Sequence, residues 1–322
     1  MPTSSGQPVP DYLKDKMKEI TIHSPGTVAN LVCGFDVLGL CLTEPYDIMT
    51  VRLLDKKEVI IRTTDNYRLP TDPALNTAGA PLLEMIAGMK EDIGFEVIIT
   101  KQIKPGSGIG SSAASAAGAV VAANELLGNI FSKEELVRFA MFGEKVASGV
   151  KHADNIAPCI YGGVTLIRSI FPLDIVPIPT PVLFVTVVHP QIEVRTSDAR
   201  QILRKEVLLK DAIRQWGNIA GLVAGLMKND YDLIGRSLED VIIEPVRSIL
   251  IPGFHEIKRM CRAAGAIGGG ISGSGPSVFM LSSTRETACA VEEVMKSVYD
   301  RIGLNYFTYV TTISQQGVTC LV

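Results

Sequence analysis

The sequence predicts an α+β fold built from two domains, and three observations support this. The chain has 322 residues, which is enough for two hydrophobic cores. Short alternating apolar stretches mix with stretches of helical periodicity up to about residue 180, and after Thr196 the pattern is mainly helical to about residue 265. We therefore expect domains at 18–180 and 181–322. Residues 1–17 are polar, contain prolines and lack an apolar signal-peptide core, so we expect a flexible extension or leader there.

The composition excludes several classes of function. Hydrophobic residues make up 47% of the chain, and 31 Lys and Arg face 34 Asp and Glu, a net charge of −3. The basic residues are scattered, so no nucleic-acid surface is predicted. The six cysteines form no C-x-x-C pair, which argues against a zinc ribbon or redox motif and favours a reduced, cytoplasmic setting. The uncharged run 105–124 is too polar at its start for a membrane helix, so no membrane association is expected.

Four strands are predicted in the first part of the chain, at 18–24, 47–54, 58–64 and 95–103. A loop at Pro25–Gly26 is expected to end the first of them. A helix should begin near Pro73, since proline suits a first helical position, and run to about residue 89. The last strand leads into glycines and then serines that can cap a helix from Ser112 to Leu127, which Gly128 ends.

The second part of the chain alternates helices and strands. Ser132 and Glu135 form a capping box that opens a helix through about Ser148. The stretch "DAIRQWGNIAGLVAGLM" is the clearest amphipathic helix. The remaining predicted elements are strands at 162–169, 182–190, 276–282 and 306–314, and helices at 253–264 and 285–302.

The stretch "KPGSGIGSSAAS" at 104–115 contains the first glycine loop (residues 104–110) and the start of a helix. The order strand, glycines, helix places unpaired N–H groups and the positive end of a helix dipole at the loop, which favours an anion such as phosphate. An ordinary glycine-rich turn before an alanine-rich helix would give the same spacing. The hydroxyls of Ser111 and Ser112 favour the first interpretation, because they stand where a nucleotide-bound magnesium ion would lie.

The second glycine loop, "GAIGGGISGSGPS" at 265–277, contains G-x-G-x-x-G. A dinucleotide fingerprint follows a strand and opens a helix, whereas here a helix precedes and a strand follows. We therefore exclude a dinucleotide site. Since each glycine costs backbone entropy, we expect this loop to approach the first glycine loop or its ligand closely.

Glu144 lies at the edge of the apolar face of the helix predicted over 133–148. Taken alone, it would be a solvated side chain or the partner of a nearby lysine. Beside a phosphate loop and a serine hydroxyl, a partly buried carboxylate suits magnesium, which prefers hard oxygen ligands.

Three motifs together resemble the signatures of the GHMP small-molecule kinases: "SPGTVANLVCGFDVLGLCL" at 24–42, "KPGSGIGSSAA" at 104–114 and "GGGISGSGPSVFML" at 268–281. The first motif and "HADNIAP" at 152–158 are similar to those of the homoserine kinases within that family. The resemblance runs from about residue 18 to the C-terminus. It implies an N-terminal ribosomal-S5-like domain with a left-handed βαβ unit, a C-terminal ferredoxin-like α+β domain, and an active site in the cleft between them. Thr27 stands where mevalonate-type kinases carry a lysine.

The resemblance also implies site residues for an ATP- and Mg²⁺-dependent kinase that phosphorylates the side-chain hydroxyl of L-homoserine in threonine biosynthesis. The substrate would be held by Asn30, Asp36, His152, Asn155, Thr196, Arg200 and Arg247. ATP would be bound by Asn76, Lys104, Pro105, Gly106, Ser107, Gly108, Ile109, Gly110, Ser111, Ser112, Ala113 and Ala114, and the metal by Ser112 and Glu144. Catalysis would rest on Asn155, with the substrate hydroxyl attacking without a strong base and Asp154 as the alternative, a possible base. A homodimer is left open.

Three alternatives to this function remain from the sequence. Another small-alcohol kinase of the same fold is disfavoured by the two arginines, which suit the carboxylate of an amino acid. A non-catalytic ligand-binding regulator is disfavoured by the presence of both Ser112 and Glu144. A purely structural protein would leave the glycine-rich loops unexplained.

Overall fold

Two β-sheets organise the structure of the protein, a computed structural model that describes residues 18–194 and 196–321. The first sheet has seven strands, β1 (Glu19–Ala29), β2 (Leu38–Leu54), β3 (Val59–Thr63), β4 (Gly94–Thr100), β5 (Val164–Ile170), β6 (Leu173–Ile178) and β11 (Thr319–Leu321). Strands β11, β1, β2, β4 and β3 lie side by side in that order, and β5 joins the first half of β2 to β6. The strand β2 is long enough to pair with β1 along its length and with two further strands on its other edge.

The second sheet contains β7 (Phe184–Pro190), β8 (Gly268–Ile271), β9 (Val278–Ser282) and β10 (Tyr306–Thr312). Its order is β10, β7, β9, β8, and all three pairings are antiparallel. The first strand of this sheet in chain order, β7, therefore lies between the last, β10, and the third, β9. This is the order of a ferredoxin-like domain, and it confirms that part of the predicted fold class.

Ten α-helices surround the sheets in the described part of the chain. They are α1 (Gly79–Ala87), α2 (Ser111–Leu127), α3 (Lys133–Ser148), α4 (Ile156–Tyr161), α5 (Thr196–Gln201), α6 (Leu209–Lys228), α7 (Tyr231–Ser237), α8 (Glu244–Arg247), α9 (Phe254–Ala263) and α10 (Arg285–Ile302). The predicted capping box of Ser132 and Glu135 is present at α3, and Gly128 ends α2 in the left-handed conformation. Within 18–194 and 196–321, no helix combines the length and the apolar character needed to cross a membrane.

A parallel β3–α1–β4 unit lies at one edge of the first sheet. Strands β3 and β4 pair in parallel, with Val59 opposite Phe95, and α1 is in the connection between them. A βαβ unit in this part of the chain is what the family resemblance implies.

Several predicted elements differ from the structure. The loop expected at Pro25–Gly26 is a bulge within β1, because the chain resumes pairing with β2 at Thr27. The helix expected from Pro73 is split into a 3-10 turn (Pro73–Leu75) and α1, since Asn76 is extended. Strands β6, β8 and β11 were not predicted. Strand β11 pairs with β1, so the end of the chain lies in the first sheet although the sequence division placed it in the second domain.

Helix α2 is the centre of the first core. It is buried along almost its whole length, packing on β1 and β2 and against helices α1, α3 and α4. Small side chains permit this close approach: a Cβ added at Gly118 would lie 2.7 Å from Met49 Sδ and 3.0 Å from Ile22 Cδ1. The alanine-rich composition of α2 is therefore a packing requirement, and it fixes the position of the helix N-terminus against the sheet.

Two helical glycines allow a direct test of this packing. A Cβ at Gly143 of α3 would lie 2.3 Å from Thr77 O and 2.7 Å from Ala116 Cβ, whereas one at Gly217 of α6 meets no heavy atom within 4 Å. Alanine exceeds glycine in helix propensity by about 1 kcal/mol, but overpacking costs roughly 1–3 kcal/mol. We expect Gly143→Ala to lower the free energy of unfolding and Gly217→Ala to raise it, as measured by urea denaturation. Stabilisation by both substitutions would contradict the close packing of α3.

Candidate active site

A cavity of about 460 Å³ lies where the two sheets meet, between the first glycine loop, α3, α8 and the connection from β1 to β2. Its walls contain charged and hydroxyl side chains from all these segments. Those predicted from the sequence that line it are Asn30, Asp36, Pro105, Gly106, Gly108, Gly110, Ser111, Ser112, Glu144, His152, Asp154, Asn155, Arg200 and Arg247. The structure therefore brings residues from five separate parts of the sequence to one place.

The first glycine loop takes a conformation that glycine favours. Gly106, Gly108 and Gly110 have φ of 76°, 82° and 72°, in the left-handed region. Gly110 is also the N-cap of α2 and no side chain caps the helix, so the expected capping by serines is wrong. Ser111 Oγ donates instead to Ile103 O at 2.9 Å, and Ser112 Oγ donates to Glu144 Oε1 at 2.6 Å. The first-turn N–H groups of α2 therefore have no side-chain acceptor, which suits an anion.

The second glycine loop holds the first in place, as the sequence predicted. Ser272 Oγ donates to Gly108 O at 2.7 Å, and Ser277 Oγ donates to Ser107 O at 2.6 Å. A Cβ on Gly108 would lie 2.5 Å from Gly275 O, so no side chain fits between the loops. This close approach is the physical reason for glycine at positions 108 and 273.

A buried lysine that the sequence analysis missed lies beneath the first glycine loop. Lys101 forms an ion pair with Asp47, donates to Ser111 O at 2.8 Å and to Ser115 Oγ at 3.0 Å, and lines the cavity. Asp47 also accepts from the backbone N–H groups of Gln102 and Ile103. The pair joins β2, the end of β4 and the start of α2, and places a positive charge at the helix N-terminus.

Glu144 is buried on α3 and points towards the start of α2. Burial raises the pKa of this carboxyl, and the hydrogen bond from Ser112 opposes the rise. The hydroxyl and the carboxylate are the kind of oxygen ligands that magnesium accepts. The predicted pairing of Ser112 with Glu144 is therefore present in the geometry.

Asp154 and Asn155 lie at the start of α4, facing the same cavity. Thr27 Oγ1 donates to Asn155 Oδ1 at 2.7 Å, so the threonine that replaces a lysine in this motif orients the amide. Asp154 is buried, and this burial, with the charges of Asp36 and Glu144, raises its pKa to about 7. Near neutral pH this carboxyl exists in both protonation states.

The far end of the cavity carries the predicted substrate residues. Arg200 Nη2 donates to both carboxylate oxygens of Asp36, at 2.9 and 3.1 Å. Arg247 is almost fully buried, and its Nε donates to Ala199 O while its Nη1 donates to Gly273 O. Burial is the main cause that lowers the pKa of Arg247 to about 10. His152 Nδ1 lies 3.7 Å from Asp36 Oδ1, and burial lowers the pKa of His152, which favours the neutral ring.

Some predicted residues do not reach the cavity with their side chains. The amide of Asn76 donates to Pro70 O and accepts from the N–H groups of Ala78 and Gly79, so it orders the start of α1. The adenine contact of Asn76 stays a prediction. Lys104 donates to Gln191 Oε1 at 2.7 Å and is not part of the cavity wall. The side chains of Ser107, Ile109, Ala113 and Ala114 are buried in the packing of the loop and α2. The side chain of Thr196 lies outside the described part of the structure.

The raised pKa of Asp154 predicts a pH-dependent cost to folding. An unfolded aspartate titrates near pH ~3.9, and between that value and about 7 the folded state binds more protons, so stability falls as pH rises. We expect Asp154→Asn, which carries no charge, to gain stability over the wild type as pH rises from about 5 to about 8, by an amount of order 1–4 kcal/mol. Urea denaturation at both pH values measures this gain. Asp55→Asn at an exposed site is the control, and an equal response from both variants would contradict the burial of a charge at Asp154.

Comparison with known proteins agrees with this fold. The model for the GHMP kinases N terminal domain matches residues 79–163, and that for the GHMP kinases C terminal matches residues 222–301. A homoserine kinase of Chloroherpeton thalassium is 46% identical over 315 residues, which cover 94% of this chain and 99% of that protein. A homoserine kinase of Methanococcus maripaludis is 42% identical over 286 residues, covering 88% and 94%.

Solved structures give the same result. The crystal structure of homoserine kinase from Cytophaga hutchinsonii superposes with a TM-score of 0.91 at 48% identity, covering 95% of this chain and 98% of that one. A mevalonate kinase of L. major, at 18% identity and a TM-score of 0.70, shares the fold. The chain therefore belongs to the GHMP kinase family, within its homoserine kinase branch.

Proposed function

We propose that the protein transfers the γ-phosphoryl group of ATP to the side-chain hydroxyl of L-homoserine, producing O-phospho-L-homoserine and ADP. The observation that carries the proposal is that one cavity has an uncapped helix terminus, suited to an anion, at one end and two guanidinium groups beside a carboxylate at the other. The identity of about 46% to proteins named homoserine kinase supports the same substrate.

The nucleotide phosphates would lie at the first glycine loop. The uncapped first turn of α2 offers N–H groups and the positive end of the helix dipole. Lys101 adds a fixed positive charge behind the turn, and its pairing with Asp47 holds it in place. These groups are set before the ligand arrives, so little reorganisation is needed during phosphoryl transfer.

Ser112 and Glu144 would hold Mg²⁺ at the side of the first glycine loop. Their hydroxyl and carboxylate oxygens face the cavity and already contact each other at 2.6 Å. The bound ion would supply charge neutralisation on the phosphates, which is the main electrostatic demand of this reaction. Burial of Glu144 destabilises its charged form, so a cation beside it would lower its pKa again.

The zwitterionic part of homoserine would bind at the other end. Arg200 and Arg247 offer donors to the carboxylate, and Arg200 Nε is buried with no protein acceptor in the described residues. Asp36 would accept a hydrogen bond from the ammonium group. Asn30 Oδ1 accepts a hydrogen bond from the backbone N–H of Asp36 at 3.0 Å, and this contact fixes the turn that carries Asp36. A substrate that satisfies all these groups must carry both a carboxylate and an ammonium group.

The reacting hydroxyl would then lie near Asn155 and Asp154, between the two ends. Its oxygen bonds to the γ-phosphorus while the bond to the bridging oxygen of ADP breaks, and its proton leaves to a phosphoryl oxygen or to water. Because the transition state is loose, alignment matters more than a strong base. Asp154, with a pKa of about 7, is the alternative proton acceptor.

The substrate assignment is tested by a coupled ADP-release assay with L-homoserine, mevalonate, galactose and shikimate. We expect release that depends on magnesium and on L-homoserine, because only that substrate offers both a carboxylate and an ammonium group to the paired charges. A preference for mevalonate or a sugar would point to another small-alcohol kinase. Tight binding of homoserine without ADP release would point to a regulator on the kinase fold.

The metal role of Glu144 is tested by Glu144→Gln. We expect turnover to fall by about 100- to 1,000-fold, the usual effect of removing one electrostatic stabiliser, because the amide cannot balance the charge of the ion. Thermal stability should not fall, since a buried charge is removed. Glu134→Gln, exposed on the same helix, is the matched control for turnover. Wild-type turnover in a folded Glu144→Gln protein would exclude the metal role.

A further inference from the structure

The connection between β1 and β2, residues 30–37, carries Phe35 into the cavity on an unusual backbone. Asn30, Leu31, Val32 and Asp36 all have positive φ, at 73°, 41°, 66° and 60°. None of these four residues is glycine, and a left-handed backbone conformation costs free energy for any other residue. Such conformations persist only where the surroundings impose them. The connection therefore holds a fixed shape that places Phe35 beside Asp36.

Several contacts impose that shape. The side chains of Leu31 and Val32 are buried in the core between the sheets, and Gln215 of α6 donates to Cys33 O at 2.7 Å. Gln215 Oε1 in turn accepts from the N–H of Val241, just before α8. One buried amide thus links the connection that bears Phe35 to the segment that bears Arg247.

The ring of Phe35 faces both substrate-end arginines. The guanidinium carbon of Arg247 lies 4.9 Å from the ring centroid, and that of Arg200 lies 5.5 Å from it. Both distances fall within the range of a cation–π contact, about 6 Å. Phe35 lines the cavity, so the contact takes place where the substrate would bind.

The two guanidinium groups lie close enough for their charges to interact. Burial is the main cause that lowers the pKa of Arg247, and the charge of Arg200 lowers it further. Arg247 is anchored to Ala199 O and Gly273 O, whereas Arg200 is anchored to the carboxylate of Asp36. These anchors lie on different segments, and the ring of Phe35 is a surface that both cations share.

We propose that Phe35 is a positioning residue that holds Arg200 and Arg247 against its aromatic ring, and so determines the selectivity for a substrate carboxylate. This inference rests on the proposed function for the identity of the substrate, and on the cation–π geometry for the role of the ring. The competing explanation is that Phe35 only covers the methylene groups of the substrate. The two explanations differ in whether removing the ring weakens the binding of a substrate that lacks a carboxylate.

The test compares Phe35→Leu with Phe35→Tyr, which keeps the aromatic face. L-Homoserine is compared with homoserine amide, in which a neutral carboxamide replaces the carboxylate. We expect Phe35→Leu to raise the KM for homoserine by about 5- to 30-fold, with kcat and the KM for ATP little changed, and to leave the amide almost unaffected. Phe35→Tyr should stay near the wild type. Phe171→Leu, at a ring that is 85% exposed, is the control for general effects of removing an aromatic side chain.

A second readout does not depend on activity. The Nε–Hε NMR signals of Arg200 and Arg247, assigned with Arg→Lys variants, should be displaced by the ring current in the wild type and in Phe35→Tyr, and should move in Phe35→Leu. Unmoved signals, or an equal rise in KM for homoserine and its amide, would overturn the proposal. If the wild type fails to phosphorylate homoserine, the proposed function is wrong, and the arginine signals still decide whether the ring holds the two cations.

Discussion

The close contact between the two glycine loops sets the geometry on which the rest of the site depends. Gly108 approaches the backbone of Gly275 so tightly that a Cβ would lie 2.5 Å from its carbonyl oxygen, and two serine hydroxyls bind the carbonyls of the first loop. Because those carbonyls are occupied on the outer side, the loop has one arrangement available to it. The loop leads directly into α2, whose own packing on the sheet fixes Ser112, while the ion pair with Asp47 fixes Lys101 beneath it.

The charges around the cavity balance one another across chain segments that are far apart in sequence. Lys101 forms an ion pair with Asp47, and Arg200 forms one with Asp36. Glu144 accepts a hydrogen bond from the hydroxyl of Ser112. A buried charge is costly unless it is paired or hydrogen-bonded, so each of these contacts also ties elements together. Asp154 and the Nε of Arg200 lack complete compensation, as does the Nε2 of His152, and all three residues line the cavity in which the substrate would bind.

The sequence predicts best those features that have local causes. The capping box at α3, the end of α2 at Gly128 and the bounds of α10 follow from residues next to one another, and all are present. The strand β8 could not be predicted, because its glycines have little strand propensity and it forms through its register with β9. Lys101 was missed for a similar reason, since Asp47 is 54 residues away. The backbone contacts of the Asn76 amide at the start of α1 were not predicted either, because no motif reveals them.

The return of β11 to the first sheet has a mechanical consequence. The chain crosses between the two sheets once after β6 and again before β11, so the second unit is attached to the first by two covalent connections. A unit joined by one connection can rotate in any direction, whereas a unit joined by two connections rotates mainly about the line between the two connections. The two connections therefore restrict any rotation of the second unit mainly to one axis, and they favour the register in which the second glycine loop faces the first.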